Sequence, residues 1–153
     1  MDLVVYYSRT NNTKEVSKII AEEKNAQILE VKDKKSRNGA VGFLMGGFDA
    51  IRGNKTSITY DKVNLAEYDN IYIGTPVWAS KPTPAILQFI EDNDFTNKNV
   101  YTFATMGGSG GSSTIKIMNE KIKAKGGNIK RSFSLAMNNN DIRQLVLEAL
   151  NDE

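Results

Sequence analysis

The strongest constraint on the fold is a strict alternation of short apolar segments with amphipathic helical patterns. Leu3–Tyr7 (LVVYY) is apolar, β-branched and aromatic, which is typical of a strand buried on both faces. Val16, Ile19 and Ile20 follow at the i, i+3, i+4 spacing of one helix face. The alternation repeats along the chain, so we predict a parallel sheet covered by helices on both sides.

Four further strands and four further helices continue this pattern. The predicted strands are Ala26–Val31, Asn70–Thr75, Val100–Thr105 and Asn128–Ala136, and the clear helices are Pro84–Asp92, Ser112–Lys125 and Asp141–Leu150. We expect Gly126-Gly127 to end the second of these helices and Asp141 to cap the third. Gly39–Asn54 predicts only an irregular or short helix, because Gly46 and Gly47 weaken its apolar stripe.

Length and composition indicate one globular domain over residues 1–153. The chain is 40% hydrophobic and 25% charged, a balance that argues against disorder. Its apolar runs are far shorter than the roughly 18 residues that suggest a membrane span. Asp2 and the lack of an N-terminal basic region argue against a signal peptide, so we expect a cytoplasmic protein that contacts no membrane.

Two missing residue types exclude whole classes of chemistry. Without Cys, the chain has no disulfides, thiolate catalysis or iron–sulfur clusters, and without His it has no Ser-His-Asp triad or His-ligated haem. Any redox chemistry would need an organic cofactor. The net charge of +2 is too small to indicate nucleic-acid binding.

The loop after the first strand predicts a phosphate site. It supplies hydroxyl and amide groups just before a helix, whose first N–H groups are unpaired. The residues are Ser8, Arg9, Thr10, Asn11, Asn12 and Thr13. Because Ser, Thr and Asn are also common N-caps, a simple capping loop is the alternative.

The loops after the third and fourth strands have different chemistry. Thr75–Pro82 holds the only Trp of the chain, Trp78, between two prolines that stiffen the loop, which predicts a platform for a planar ring. The alternative is that Trp78 packs onto the neighbouring helix. Thr105–Ser113 contains four glycines in five residues, whose amides can approach a ligand closely, or which simply make the loop flexible. It matches neither the Walker A motif nor Gly-x-Gly-x-x-Gly.

Together these three loops resemble the FMN-binding loops of flavodoxins. The motifs are Ser8-x-Thr10-x-x-Thr13, Thr75-Pro76-Val77-Trp78 and Thr105-Met106-Gly107-Gly108, in the same order along the chain. The resemblance implies an α/β fold, a flavodoxin-like three-layer α/β/α sandwich with a five-stranded parallel sheet of order 2-1-3-4-5. It also implies non-covalent FMN. The phosphate would bind Ser8–Thr13, and the ring would bind Thr75, Pro76, Val77, Trp78, Ala79, Ser80, Met106, Gly107, Gly108, Gly110 and Gly111.

Three departures from the flavodoxin pattern carry further expectations. Asn11 stands where flavodoxins most often have Gly, and Asn still tolerates the left-handed conformation. The fourth-strand loop lacks a second aromatic residue. The chain is slightly basic, whereas flavodoxins are typically acidic, so Arg9, Lys14 and Lys81 are expected to make the low reduction potential less negative.

The leading functional interpretation is one-electron transfer between redox proteins that bind transiently, with a monomer favoured. The alternatives are an FMN-dependent NAD(P)H:quinone-type oxidoreductase and a flavin-free binding or signalling domain. A receiver domain is disfavoured, because Tyr7-Ser8 and Gly74-Thr75 replace the acidic residues that it needs. The basic stretch has two interpretations, a surface that steers an acidic partner and a solvated loop, and the second is the simpler. Its residues are Lys32, Lys34, Lys35 and Arg37. Gly39–Ile51 is either a partner surface or part of the core.

Overall fold

A computed structural model describes residues 1–33, 58–138 and 141–151, and a five-stranded parallel sheet forms its centre. The sheet strands are β1 (Asp2–Tyr6), β2 (Gln27–Glu30), β5 (Asn70–Pro76), β6 (Asn99–Met106) and β7 (Asn128–Ala136). Their spatial order is β2-β1-β5-β6-β7, which is the predicted 2-1-3-4-5 when only these five strands are numbered. Two short strands, β3 (Lys32–Asp33) and β4 (Ile58–Thr59), form a separate antiparallel pair that the sequence patterns did not predict.

Four α-helices accompany the sheet in the described part of the chain. They are α1 (Asn12–Lys24), α2 (Pro84–Asp92), α3 (Gly111–Ala124) and α4 (Ile142–Asn151), and a short 3-10 helix spans Leu65–Glu67. α2 has the predicted bounds, while α3 and α4 each differ by one residue at either end. The Asp141 carboxylate accepts a hydrogen bond from the Gln144 N–H at 3.0 Å, as expected of an N-cap. The predictions for Lys34–Asn38 and Gly39–Asn54 lie outside the described residues.

The helices cover the sheet in two layers, one on each face. α2 and α3 pack on one face, where Phe89 and Met118 are fully buried. α1 and α4 pack on the other face, where Val16 and Val146 are fully buried. This burial on both faces explains why the central strands read as continuous apolar runs rather than as alternating patterns.

The parallel strands bring three loops to one rim of the sheet. β1, β5 and β6 are neighbours, so the loops that follow their carboxyl ends are adjacent. From β1 the chain proceeds to β2 on one side of the sheet, and from β5 it proceeds to β6 and β7 on the other side. The topological switch point therefore lies between β1 and β5, which makes this rim the place where doubly wound folds bind ligands. In the described ranges, none of the helices has the length and apolarity that crossing a membrane requires.

Candidate functional site

The first loop leads from β1 into α1 through a left-handed residue. Asn11 has φ 72° and forms the N-cap of α1 without a capping hydrogen bond from its side chain. The first N–H groups of α1 are therefore not covered by the Asn11 amide, and they carry the partial positive charge of a helix N-terminus. This geometry favours the phosphate interpretation over the capping interpretation, and it explains why Asn substitutes for Gly at this position.

Two hydroxyl groups lie buried beneath this loop. The Ser8 hydroxyl oxygen is inaccessible to solvent and has no hydrogen-bond partner among the described residues. The Thr13 side chain is 1% exposed and shares a hydrogen bond of 2.8 Å with the Thr105 hydroxyl. A buried hydroxyl without a partner costs free energy, so Ser8 is a group whose missing partner a bound anion would supply. Thr10 and Asn12 are exposed on the outer side of the loop.

Hydrogen bonds between two threonines join the two ends of the third loop. Thr75, at the end of β5, donates its hydroxyl proton to the Thr83 hydroxyl at 3.2 Å, and the Thr83 N–H donates back to Thr75 at 3.1 Å. Thr83 also caps α2. At the tip, the backbone of Trp78 and Lys81 forms two hydrogen bonds of 3.0 Å around a two-residue turn.

The tip of the third loop has an unusual backbone. Ala79 and Ser80 both have positive φ angles, 52° and 62°, and both are exposed. Left-handed φ at both central residues is characteristic of a type I′ turn, which normally uses Asn or Gly. The turn therefore holds a conformation that neither side chain favours.

Trp78 lies in the hydrophobic core. Its side chain is 5% exposed, and its ring contacts Tyr7 edge-on with centroids 5.7 Å apart and planes at 89°. The same core cluster includes Ala85 and Ile86 of α2. This position agrees with the packing alternative for Trp78, and stacking on a ligand ring stays a prediction.

The glycines of the fourth loop fall into two groups. A Cβ atom added at Gly107 or Gly108 would meet nothing within 4 Å, so these two residues border open space. Gly110 is the N-cap residue of α3 and has φ 93°. A Cβ there would lie 2.8 Å from a methyl carbon of Val77. A Cβ at Gly111 would lie 3.0 Å from the Met106 sulfur.

The third and fourth loops contact each other directly. The Ser113 hydroxyl donates a hydrogen bond of 2.9 Å to the Ser80 carbonyl. The Val77 N–H donates to the Thr105 carbonyl at 2.9 Å. The two loops therefore form one connected surface, with the first loop attached to it through Thr13 and Thr105.

The charges on these loops are mainly positive. Arg9, Lys14 and Lys81 belong to the first and third loops and the start of α1. Below the first loop, burial raises the pKa of Tyr6 to about 12, and the nearby Glu30 adds to the shift, so this phenol stays neutral. Together with the N-terminus of α1, the cations favour an anionic ligand.

All three predicted loops come together at one rim, but three of the residues that connect them were missed. Thr105 and Ser113 were named only as parts of the fourth loop and its motifs, and Thr83 was not considered. Their hydrogen bonds join residues far apart in sequence, such as Thr13 and Thr105, which are 92 positions apart. The only sequence signal for these contacts is a hydroxyl residue at the end of an otherwise apolar strand.

Comparisons with known proteins agree with this architecture. A family model described as flavodoxin matches residues 48–152. The flavoprotein of Lactobacillus acidophilus, solved in complex with FMN, is 27% identical, with 87% of this chain and 91% of that chain covered and a TM-score of 0.73. A candidate flavoprotein of Bacteroides uniformis is 28% identical, with 95% and 97% covered and a TM-score of 0.75.

A more distant structure shares the fold. Oxidised flavodoxin 2 of Bacillus cereus is 16% identical, with 95% of this chain and 91% of that chain covered and a TM-score of 0.61. No curated protein matches the sequence. The protein has a flavodoxin-like α/β fold, and the chain belongs to the flavodoxin family. The first loop precedes the residues that the family model matches, so its assignment depends on its own geometry.

Proposed function

We propose that this protein binds FMN non-covalently at the rim and carries single electrons between redox proteins. The observation that carries the proposal is the first loop. This loop contains the Ser8 hydroxyl, which is buried and has no partner in the described part of the chain, and it leads into the start of α1, which the Asn11 side chain does not cap. Family membership and the FMN complex of the Lactobacillus acidophilus relative support the same ligand.

The residues at the rim fit the two parts of FMN. The N–H groups and hydroxyls of Ser8–Thr13 would hold the phosphate, as helix N-termini commonly do. The turn at Ala79–Ser80 and the amides of Gly107 and Gly108 would border the ring, because these groups are exposed on the two loops that contact each other. The bound flavin would supply the electron chemistry, and this chain would set its position and its electrostatic surroundings.

The proposal does not require Trp78 to stack on the ring. Since the indole is packed against Tyr7, we expect Trp78→Phe to lower the free energy of unfolding while changing FMN affinity no more than about twofold. Urea unfolding and a flavin fluorescence titration measure the two quantities. A loss of affinity for FMN and riboflavin by a similar large factor would instead show that Trp78 stacks on the ring.

We also propose that positive charge near the flavin makes its low reduction potential less negative. Arg9, Lys14 and Lys81 would offset the negative charge of the reduced flavin, and reduction would therefore be easier than in acidic flavodoxins. A spectroelectrochemical titration measures both reduction steps. A strongly depressed second step would contradict this part of the proposal.

The decisive experiment adds FMN to the purified protein and records the visible spectrum during stepwise reduction. We expect a bound flavin that is reduced in two resolved one-electron steps. Retention of FMN with steady consumption of NAD(P)H and a quinone would favour the reductase alternative. A protein that retains no flavin once the excess FMN has been removed would overturn the proposal and favour a flavin-free function.

The setting of this function is part of the proposal. We propose that the protein acts in the cytoplasm as a monomer that meets its redox partners transiently. Cross-linking and size measurements of the FMN-loaded protein would test the monomer, and a stable dimer would contradict it.

A further inference from the structure

Thr105 is the residue at which the three rim loops are joined. It is the penultimate residue of β6, and its side chain is 3% exposed. Its hydroxyl shares a hydrogen bond of 2.8 Å with Thr13 of the first loop and α1. Its carbonyl accepts a hydrogen bond of 2.9 Å from Val77 of the third loop. The fourth loop begins immediately after it.

The side chain and the backbone of Thr105 have separate roles. The backbone bond to Val77 does not depend on the side chain, so it persists in any substitution that keeps the strand. The hydroxyl bond to Thr13 depends entirely on the side chain. A substitution at Thr105 can therefore remove this bond to the first loop while it leaves the third and fourth loops connected.

Thr13 is held from two directions. Besides the bond to Thr105, its carbonyl accepts a hydrogen bond of 2.7 Å from the Ser17 hydroxyl, one turn further along α1. Both Thr13 and Ser17 are buried. The bond to Ser17 lies within α1 and cannot orient the helix. The bond to Thr105 ties the start of α1 to the sheet.

We propose that Thr105 is a positioning residue that sets the first loop at the distance from the other two loops that a phosphorylated flavin needs. The inference rests on the proposed FMN function and extends it to ligand selection. Phosphate binding depends on several N–H groups that point to one place, so a small shift of the loop weakens it. Riboflavin lacks the phosphate and would contact only the ring loops. The Thr105 hydroxyl therefore favours FMN over riboflavin.

The experiment compares three variants for their affinity for FMN and for riboflavin. Thr105→Val removes the hydroxyl but keeps the shape, and Thr105→Ser keeps the hydroxyl. The matched control is Thr102→Val in the same strand. Thr102 is also buried, and its hydroxyl bonds to Asn119 and Ser132 at 2.7 and 2.6 Å, away from the three loops.

We expect Thr105→Val to weaken FMN binding about fivefold, the factor that corresponds to one neutral hydrogen bond. Riboflavin affinity should change by less than about twofold. Thr105→Ser should restore the preference for FMN. Thr102→Val should leave the ratio of the two affinities unchanged even though it destabilises the protein. Equal losses for both flavins in Thr105→Val, or no loss, would overturn the proposal.

Hydrogen exchange in the flavin-free protein provides a second measurement. The amides of residues 8–14 should exchange faster in Thr105→Val than in the wild type, and they should not do so in Thr102→Val. Unchanged exchange in Thr105→Val would also overturn the proposal. If the wild-type protein binds neither flavin, the proposed function is wrong, and the exchange rates still decide whether Thr105 orders the first loop.

Discussion

Two helices at the rim of the sheet have N-cap residues with the same left-handed backbone conformation but in different surroundings. The N-cap residues are Asn11 for α1 and Gly110 for α3, and their φ angles are 72° and 93°. Neither residue covers its helix terminus with a side-chain hydrogen bond. Both termini are therefore suited to anions by local geometry alone.

The surroundings distinguish the two termini. The start of α3 is in close contact with the third loop, because a Cβ at Gly110 would lie 2.8 Å from Val77 and 3.1 Å from the Ser80 Cα. The start of α1 has exposed residues at Asn11 and Asn12 and a buried hydroxyl at Ser8 that has no partner among the described residues. The same local motif is thus packed against the third loop at α3 and exposed at α1, where we propose that the phosphate binds. A helix N-terminus indicates a binding site only together with what surrounds it.

The largest expected effect tests the packing role of the α3 terminus. Gly110→Ala places a side chain in left-handed backbone and against Val77, so we expect it to lower the free energy of unfolding by about 2–3 kcal/mol. Gly108→Ala is the matched control, because a Cβ there meets nothing within 4 Å. It should change stability by less than about 0.5 kcal/mol. Urea denaturation measures both, and equal stabilities would show that the close contact at α3 is absent in solution.

The next effect tests which terminus binds the phosphate. Asn12→Asp and Ser112→Asp each add one carboxylate to an exposed position in the first turn of a helix. Each should stabilise the free protein by about 0.3–1 kcal/mol through the helix dipole. Only Asn12→Asp should repel the phosphate, and it should weaken FMN binding at least about tenfold.

A fluorescence titration at low salt measures these affinities, with riboflavin as the ligand that lacks the phosphate. The gain in stability shows that each variant is folded, so a loss of binding cannot be attributed to unfolding. An equal loss of FMN affinity in both variants would remove the distinction between the two termini. Tighter FMN binding in Asn12→Asp would place the phosphate elsewhere.

Local sequence patterns predicted most of the fold, because each pattern depends on neighbours in the chain. The segment Asn128–Ala136 and the apolar spacing at Pro84–Asp92 gave elements with the observed bounds. Asn11 adopts the left-handed conformation that its residue type tolerates. The alternation of strands and helices predicted a covered parallel sheet, and the resemblance to flavodoxins implied its strand order.

The features that were not predicted depend on tertiary contacts. The prolines around Trp78 indicated a rigid loop, but they could not show that its indole packs edge-on against Tyr7. The left-handed turn at Ala79 and Ser80 has no Gly or Asn to signal it, and contacts such as the Ser113 bond to Ser80 support it. A pattern of residue types does not record which side chain meets which across the sheet.

The smallest expected effect compares one hydroxyl at each terminus. Ser8→Ala removes a buried hydroxyl for which the described residues offer no partner, so the free energy of unfolding should stay the same or rise by up to about 1 kcal/mol. Ser113→Ala removes a donor to the Ser80 carbonyl, so it should lower that free energy by about 1 kcal/mol. FMN affinity should respond in the opposite way, with about a fivefold loss in Ser8→Ala and a smaller loss in Ser113→Ala.

These opposite effects on stability and on FMN affinity distinguish a hydroxyl that binds the ligand from a hydroxyl that stabilises the fold. A structural hydroxyl contributes in the free protein, whereas a ligand-binding hydroxyl carries a cost there that binding removes. Urea unfolding without flavin, followed by FMN titration of the same samples, gives both quantities for each variant. If Ser8→Ala destabilised the free protein as much as Ser113→Ala does, Ser8 would have a partner in solution. The main observation that supports phosphate binding at the first loop would then be lost.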